Sequence, residues 1–168
     1  MKKVCAWCTA EMEAASSASE EVTHGICPPC AARFFSDGHE ASELGAFLDS
    51  FDIPVAAVDC SMRVLTVNER ARQLFGESLA PLAGARPGEV FTCSYSLLPE
   101  GCGETIHCSG CTIRASLVET YQSGQAQIMV PAYLHKGDSR VRLFITTEKV
   151  ADAVLLRIDA LADDDPTP

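Results

Sequence analysis

Ile53-Pro-Val-Ala-Ala-Val-Asp59, followed by Cys60-Ser-Met-Arg63 and then by Val64-Leu-Thr-Val-Asn68-Glu-Arg-Ala71, decides how the rest of the chain is read. Residues 53–58 and 64–67 are short runs rich in β-branched side chains. The polar interval between them is brief enough to join them as an antiparallel hairpin. Asn68 stands where a side-chain oxygen can accept from an amide one turn ahead, so it predicts a helix through Glu69, Ala71, Leu74 and Phe75. Gly76 is placed to terminate that helix.

Outward from this hairpin, Leu44, Phe47, Leu48 and Phe51 recur at i, i+3, i+4 and i+7, the apolar stripe of an amphipathic helix ended by Asp52 and Pro54. The stripe has two uses, packing on the chain's own sheet or forming a homodimer contact. On the other side, residues 77–110 are loop-dominated. A helix is predicted from about Cys111 to Ser123, with Ile113, Leu117, Val118 and Tyr121 on one face and Gly124 closing it. Strands follow at 127–134, 141–147 and 154–159, the first two joined through Lys136-Gly-Asp138. The order predicts an α+β domain, a five-stranded antiparallel sheet with helices on one face.

In that order, and in the hairpin and asparagine-led helix quoted above, residues 44–161 resemble the PAS family. The resemblance implies a sensory domain with a ligand pocket before the longer helix. The division expected is a zinc-ribbon-like module at 1–36, a linker and amphipathic helix at 37–52, a PAS domain at 53–162 and a disordered tail at 163–168.

With 47% hydrophobic and 21% charged residues, the chain has the balance of a folded domain. Its 13 Lys and Arg against 23 Asp and Glu give a net charge of −10, which repels a phosphate backbone and argues against nucleic acid. No run approaches the roughly 18 apolar residues of a membrane span. Lys2 and Lys3 are followed by Glu11 and Glu13 too soon for an export signal, so a cytoplasmic protein is expected. Nine cysteines in a reducing compartment point to metal or redox chemistry rather than disulfides.

Cys5-x2-Cys8 and Cys27-x2-Cys30 have the spacing of two knuckles that each offer two thiolates to one tetrahedral zinc. The segment around them holds few large aliphatic residues and can draw folding free energy from the metal, so its core is expected to be separate from that of the PAS domain. It is similar to small ribbon-like modules attached to bacterial signalling proteins. His24 has two readings, a substitute ligand or simply a polar loop histidine. Cys27-Pro-Pro-Cys30 also has the form of a thioredoxin-type pair, without the surrounding βαβ unit.

The second set is Cys93, Cys102, Cys108 and Cys111, interleaved with Gly101, Gly103 and Gly110. The run from Gly101 to Cys111 is similar to a cysteine-rich PAS variant of bacterial sensor proteins. Four readings stay open for it: an iron–sulfur cluster, a second zinc, a reversible dithiol switch, or structural thiols. His107 raises haem, but no CxxC unit is followed by His as covalent attachment requires. Cys60 is read as an unligated turn residue.

The function expected is a non-enzymatic sensor or adaptor that detects a redox or metal-related signal. Its partners would be a separate signalling protein such as a kinase or regulator, or a second copy in a homodimer. The alternatives are a metal-stabilised interaction module with no sensing role and a thiol switch or oxidoreductase using Cys108 and Cys111.

Overall fold

A computed structural model of the chain describes residues 2–5, 8–13, 22–35, 41–76 and 84–162. The side chain of His24 and the 163–168 tail lie outside the described residues, as does the Ala14–Ser19 segment.

The elements run β1 (Lys2–Cys5), β2 (Glu11–Glu13), β3 (Val22–Gly25), α1 (Pro28–Phe35), α2 (Ala41–Leu48), β4 (Val55–Asp59), β5 (Val64–Val67), α3 (Glu69–Phe75), α4 (Pro87–Val90), α5 (Thr112–Ser123), β6 (Gln127–Lys136), β7 (Ser139–Val150) and β8 (Ala153–Ala162). Two 3-10 turns, Ser94–Leu97 and Ile106–Gly110, lie between α4 and α5. The large sheet has the order β5-β4-β8-β7-β6, antiparallel throughout. A small sheet, β2-β1-β3, pairs β1 antiparallel to β2 and parallel to β3.

The quoted hairpin forms as its residues predict. One carboxylate oxygen of Asp59 accepts from the amides of Ser61 and Arg63, at 2.8 and 3.0 Å, while Met62 takes a positive φ of 58°. Asn68 is fully buried and ties three elements together. Its oxygen accepts from the amides of Ala71 and Val55, and its amide nitrogen donates to the carbonyls of Ile53 and Leu48. A buried amide with every hydrogen bond filled fixes α3, β4 and the end of α2 in one geometry.

α5 starts and stops where the sequence places it, capped by Cys111 and closed by Gly124 in the left-handed conformation at φ 71°. Its buried face is rotated from the one expected: Ile113, Ser116, Leu117 and Thr120 face inward, and the Thr120 and Thr147 hydroxyls meet at 2.7 Å. An apolar count passes over Ser and Thr on a buried face because it cannot see the partner hydroxyl on another strand.

Helices cover more than the one face expected. Alternation along β4 sends Ala56 and Val58 into the core beneath α3, α4 and α5, and Val55 and Ala57 into a second core on the opposite face. There Leu44, Phe47, Leu48 and Phe51 are all buried, with Phe47 and Phe51 in an edge-to-face pair at 5.5 Å. The stripe is therefore consumed inside the chain, and the homodimer use of it does not apply.

The same core takes in Cys5, Ile26, Cys27, Cys30 and Ala31 from the amino-terminal module, together with Val150 and Leu155 of β7 and β8. The expectation of two cores sharing little apolar surface is corrected by this cluster. The module is too poor in large side chains to enclose itself, and α2 supplies the missing apolar wall.

Candidate functional site

The first tetrad is built by the end of β1, the turn after it and the start of α1. Cys5 closes β1, and its carbonyl accepts from the Thr9 amide at 2.9 Å, which turns the chain around Cys8. Thr9 holds a φ of 58° there. Pro28 and Pro29 open α1, where no intrahelical partner exists for an amide, so the helix starts directly after Cys27 and carries Cys30 in its first turn.

All four sulfurs lie within 4.8 Å of one another. The Cys8 and Cys27 sulfurs are 3.6 Å apart, and the Cys27 amide points at the Cys5 sulfur at 3.4 Å. Zinc–sulfur bonds of about 2.3 Å in a tetrahedron place sulfurs about 3.8 Å apart, so the set fits one metal ion such as zinc. Burial, followed by the neighbouring thiols of Cys27, Cys8 and Cys5, pushes the Cys30 thiol up to about 12. The Cys30 amide and, after it, the Cys30 side chain draw the Cys27 thiol down, but burial and the Cys8 and Cys5 side chains push it up and the balance is upward. Cys27 and Cys30 hold their protons unless a cation supplies the opposing charge.

The second set lines a cavity of about 240 Å³ on the helix side of the large sheet, enclosed by α4, both 3-10 turns, the first turns of α5 and the β6–β7 hairpin. Cys93, Cys102, Cys108 and Cys111 all face it, from three stretches of chain. No group of three sulfurs among them is as close as the first tetrad: among the described residues, only Cys5, Cys8, Cys27 and Cys30 bring three or more ligand atoms within 4.8 Å of one another.

The thiols nevertheless act on each other. Burial raises Cys102, the Gly88 backbone opposes this, and Cys108, Cys111 and Cys93 add to the rise. Burial likewise raises Cys111 against the amides of Arg114 and Ile113 in the first turn of α5. Cys108 differs. Burial pushes it up, but the Thr105 hydroxyl at 3.2 Å, the Gly103 amide at 3.1 Å, the Thr105 amide and the Arg114 guanidinium outweigh that and hold it below the ordinary cysteine range.

Three arginines, Arg86, Arg114 and Arg140, and two histidines, His107 and His135, also line the cavity, and no acidic residue does. Arg86 is paired with Glu104 at 3.3 Å, so on a chain of net charge −10 the positive lining for thiolates comes chiefly from Arg114 and Arg140. His107 stacks on Tyr95 at 4.0 Å with the planes 8° apart, and His135 meets the same tyrosine at 4.7 Å. Cys60 is exposed in the β4–β5 turn.

Sequence reasoning did not find Gly88, Tyr95, Arg114, His135 or Arg140. Gly88 carries no local signal, because its role is spatial: a Cβ placed there would stand 2.6 Å from the Cys102 sulfur. Arg114 had one available signal, its position three residues after Cys111 in the first turn of a helix.

No described helix is long and apolar enough to cross a membrane. No family model matches the chain, and no curated protein matches it. Among solved structures, the crystal structure of the E. coli DhaR(N)-DhaL complex is similar at 15% identity and a TM-score of 0.44, over 71% of this chain and 35% of that one. The chain thus spans about a third of the length of that structure's chain.

Proposed function

We propose that this chain is a sensing module in which a PAS-type domain registers a redox or metal-related signal at its cysteine-lined cavity. The signal passes by protein contact to a separate signalling protein such as a kinase or regulator, and the amino-terminal zinc is structural. The role is recognition rather than catalysis, in a reducing, cytoplasmic setting.

The observation that carries this reading is the convergence of Cys93, Cys102, Cys108 and Cys111 on one cavity with a positive lining. Structural thiols would have no need of a shared cavity. The cavity is also strapped to the far end of the sheet. The Ser94 hydroxyl, next to Cys93, accepts from the Gly137 amide in the β6–β7 turn at 2.5 Å, and Tyr95 is held between His107 and His135. A change of charge or occupancy at the thiols thereby reaches a hairpin at the sheet edge.

Hydrogen exchange on the metal-loaded protein, before and after a thiol oxidant or chelator, tests the reading. Changed protection in residues 93–111 and in the 135–140 hairpin is the expected result. Unchanged protection in both would favour a metal-stabilised interaction module with no sensing role.

A further inference from the structure

The cavity tetrad differs from the amino-terminal one in the dimension that separates a single ion from a cluster. Zinc with bonds of about 2.3 Å draws four sulfurs to about 3.8 Å separations, and the first tetrad, with its sulfurs within 4.8 Å and its Cys8–Cys27 contact at 3.6 Å, fits that spacing. The cavity sulfurs face a common volume of about 240 Å³ without closing to single-ion distances. A cluster places several iron and sulfide atoms between its thiolates, so its ligands stand further apart than those of one ion. Resting on the reading that these four thiols form one ligand set, we infer that the cavity takes an iron–sulfur cluster rather than a second zinc ion.

The surroundings suit that group. Each thiol that binds iron gives up its proton, and the resulting anionic assembly meets Arg114 and Arg140, with Arg86 beside them in its pair with Glu104. The sulfurs also receive donors: the Gly103 amide and Thr105 hydroxyl at Cys108, and the first-turn amides of α5 at Cys111. Donors of this kind stabilise cluster-bound thiolates and set the reduction potential. Gly88 keeps Cys102 in place. A methyl group there would stand 2.6 Å from the Cys102 sulfur and 3.5 Å from the Cys93 Cβ, so Gly88→Ala displaces a ligand while leaving all four thiols in the chain.

The test is iron, acid-labile sulfide and zinc analysis of the full chain produced and purified without oxygen, beside Cys108→Ser and Gly88→Ala. The cluster account expects coloured protein with about two to four irons per chain, matched by as many sulfides, and one zinc. Both variants should lose iron and sulfide together and keep the zinc. Colourless protein with two zincs, of which Cys108→Ser loses one, overturns the cluster and leaves the shared ligand set standing. Metal content unchanged in both variants overturns the ligand set as well. Should Cys108→Ser fail to fold, Gly88→Ala alone decides, since it alters neither charge nor thiol count.

Discussion

Lys3 of β1 and Glu148 of β7 form a half-buried ion pair, with the ammonium nitrogen 2.6 Å from a carboxylate oxygen. The pair bridges the small sheet and the large one beside the apolar cluster they share through α2. Removing zinc should therefore lower the stability of the whole described fold in one step, rather than melt the amino-terminal module alone. Denaturant unfolding followed by circular dichroism and by hydrogen exchange in β8 checks this. Coincident shifts are expected, and an unchanged β8 midpoint after chelation would separate the two units.

Leu48 is fully buried between α2 and the sheet. Leu48→Ala should cost about 2–5 kcal/mol, the range for a buried leucine whose site collapses only in part. The protein's sedimentation behaviour should not change, because the stripe faces its own sheet. A shift in association state without a loss of stability would restore the dimer use of this helix.

Asn68→Ala removes a helix cap and strips partners from the Val55 amide and the Ile53 carbonyl, while the Leu48 carbonyl keeps the Phe51 amide. A loss of about 2–4 kcal/mol is expected from one cap and these unsatisfied groups. Asn68→Asp keeps the acceptors but buries a charge and loses both donated bonds, so it should not rescue. Urea midpoints of the two variants give the comparison.

Zinc retention should fall as the medium is acidified. The Cys30 thiol, pushed up to about 12 by burial and the other three thiols, carries its proton at neutral pH in the metal-free protein. Metal binding must expel that proton, so each drop in pH favours the metal-free state. Competition with a chromophoric chelator at a series of pH values reads this directly, and a pH-independent affinity would count against thiolate ligation.

His135 provides a second pH effect. Burial, with Arg140 and His107 adding to it, holds its proton affinity below that of a free histidine. The unfolded chain takes up a proton near about pH 6.5, whereas the folded chain takes it up only at lower pH. Between these values the unfolded state binds more protons, so stability falls as pH drops through that window. His135→Gln should flatten part of the decline in denaturant midpoints, and an identical profile would remove His135 from the account.

The large sheet was legible because its signals are local. The Asp59–Arg63 turn, the Asn68 cap and the Gly124 terminator each depend on a few adjacent residues. What was not legible depends on distant ones. The second core joins Cys27 to Leu155, and the inward face of α5 is completed by the Thr147 hydroxyl. Both cysteine tetrads were found by type and spacing, but spacing alone does not say that one set closes to 4.8 Å while the other surrounds a cavity. Gly88 and Arg140 enter that cavity from positions that no motif marks.

The most direct measurement of the central claim is metal content per chain across single serine substitutions at Cys93, Cys102, Cys108, Cys111 and Cys60, prepared identically. The cavity account predicts that each of the first four loses the second-site metal and keeps the amino-terminal zinc, while Cys60→Ser matches the parent. Cavity variants that retain the parent's full metal content would contradict it.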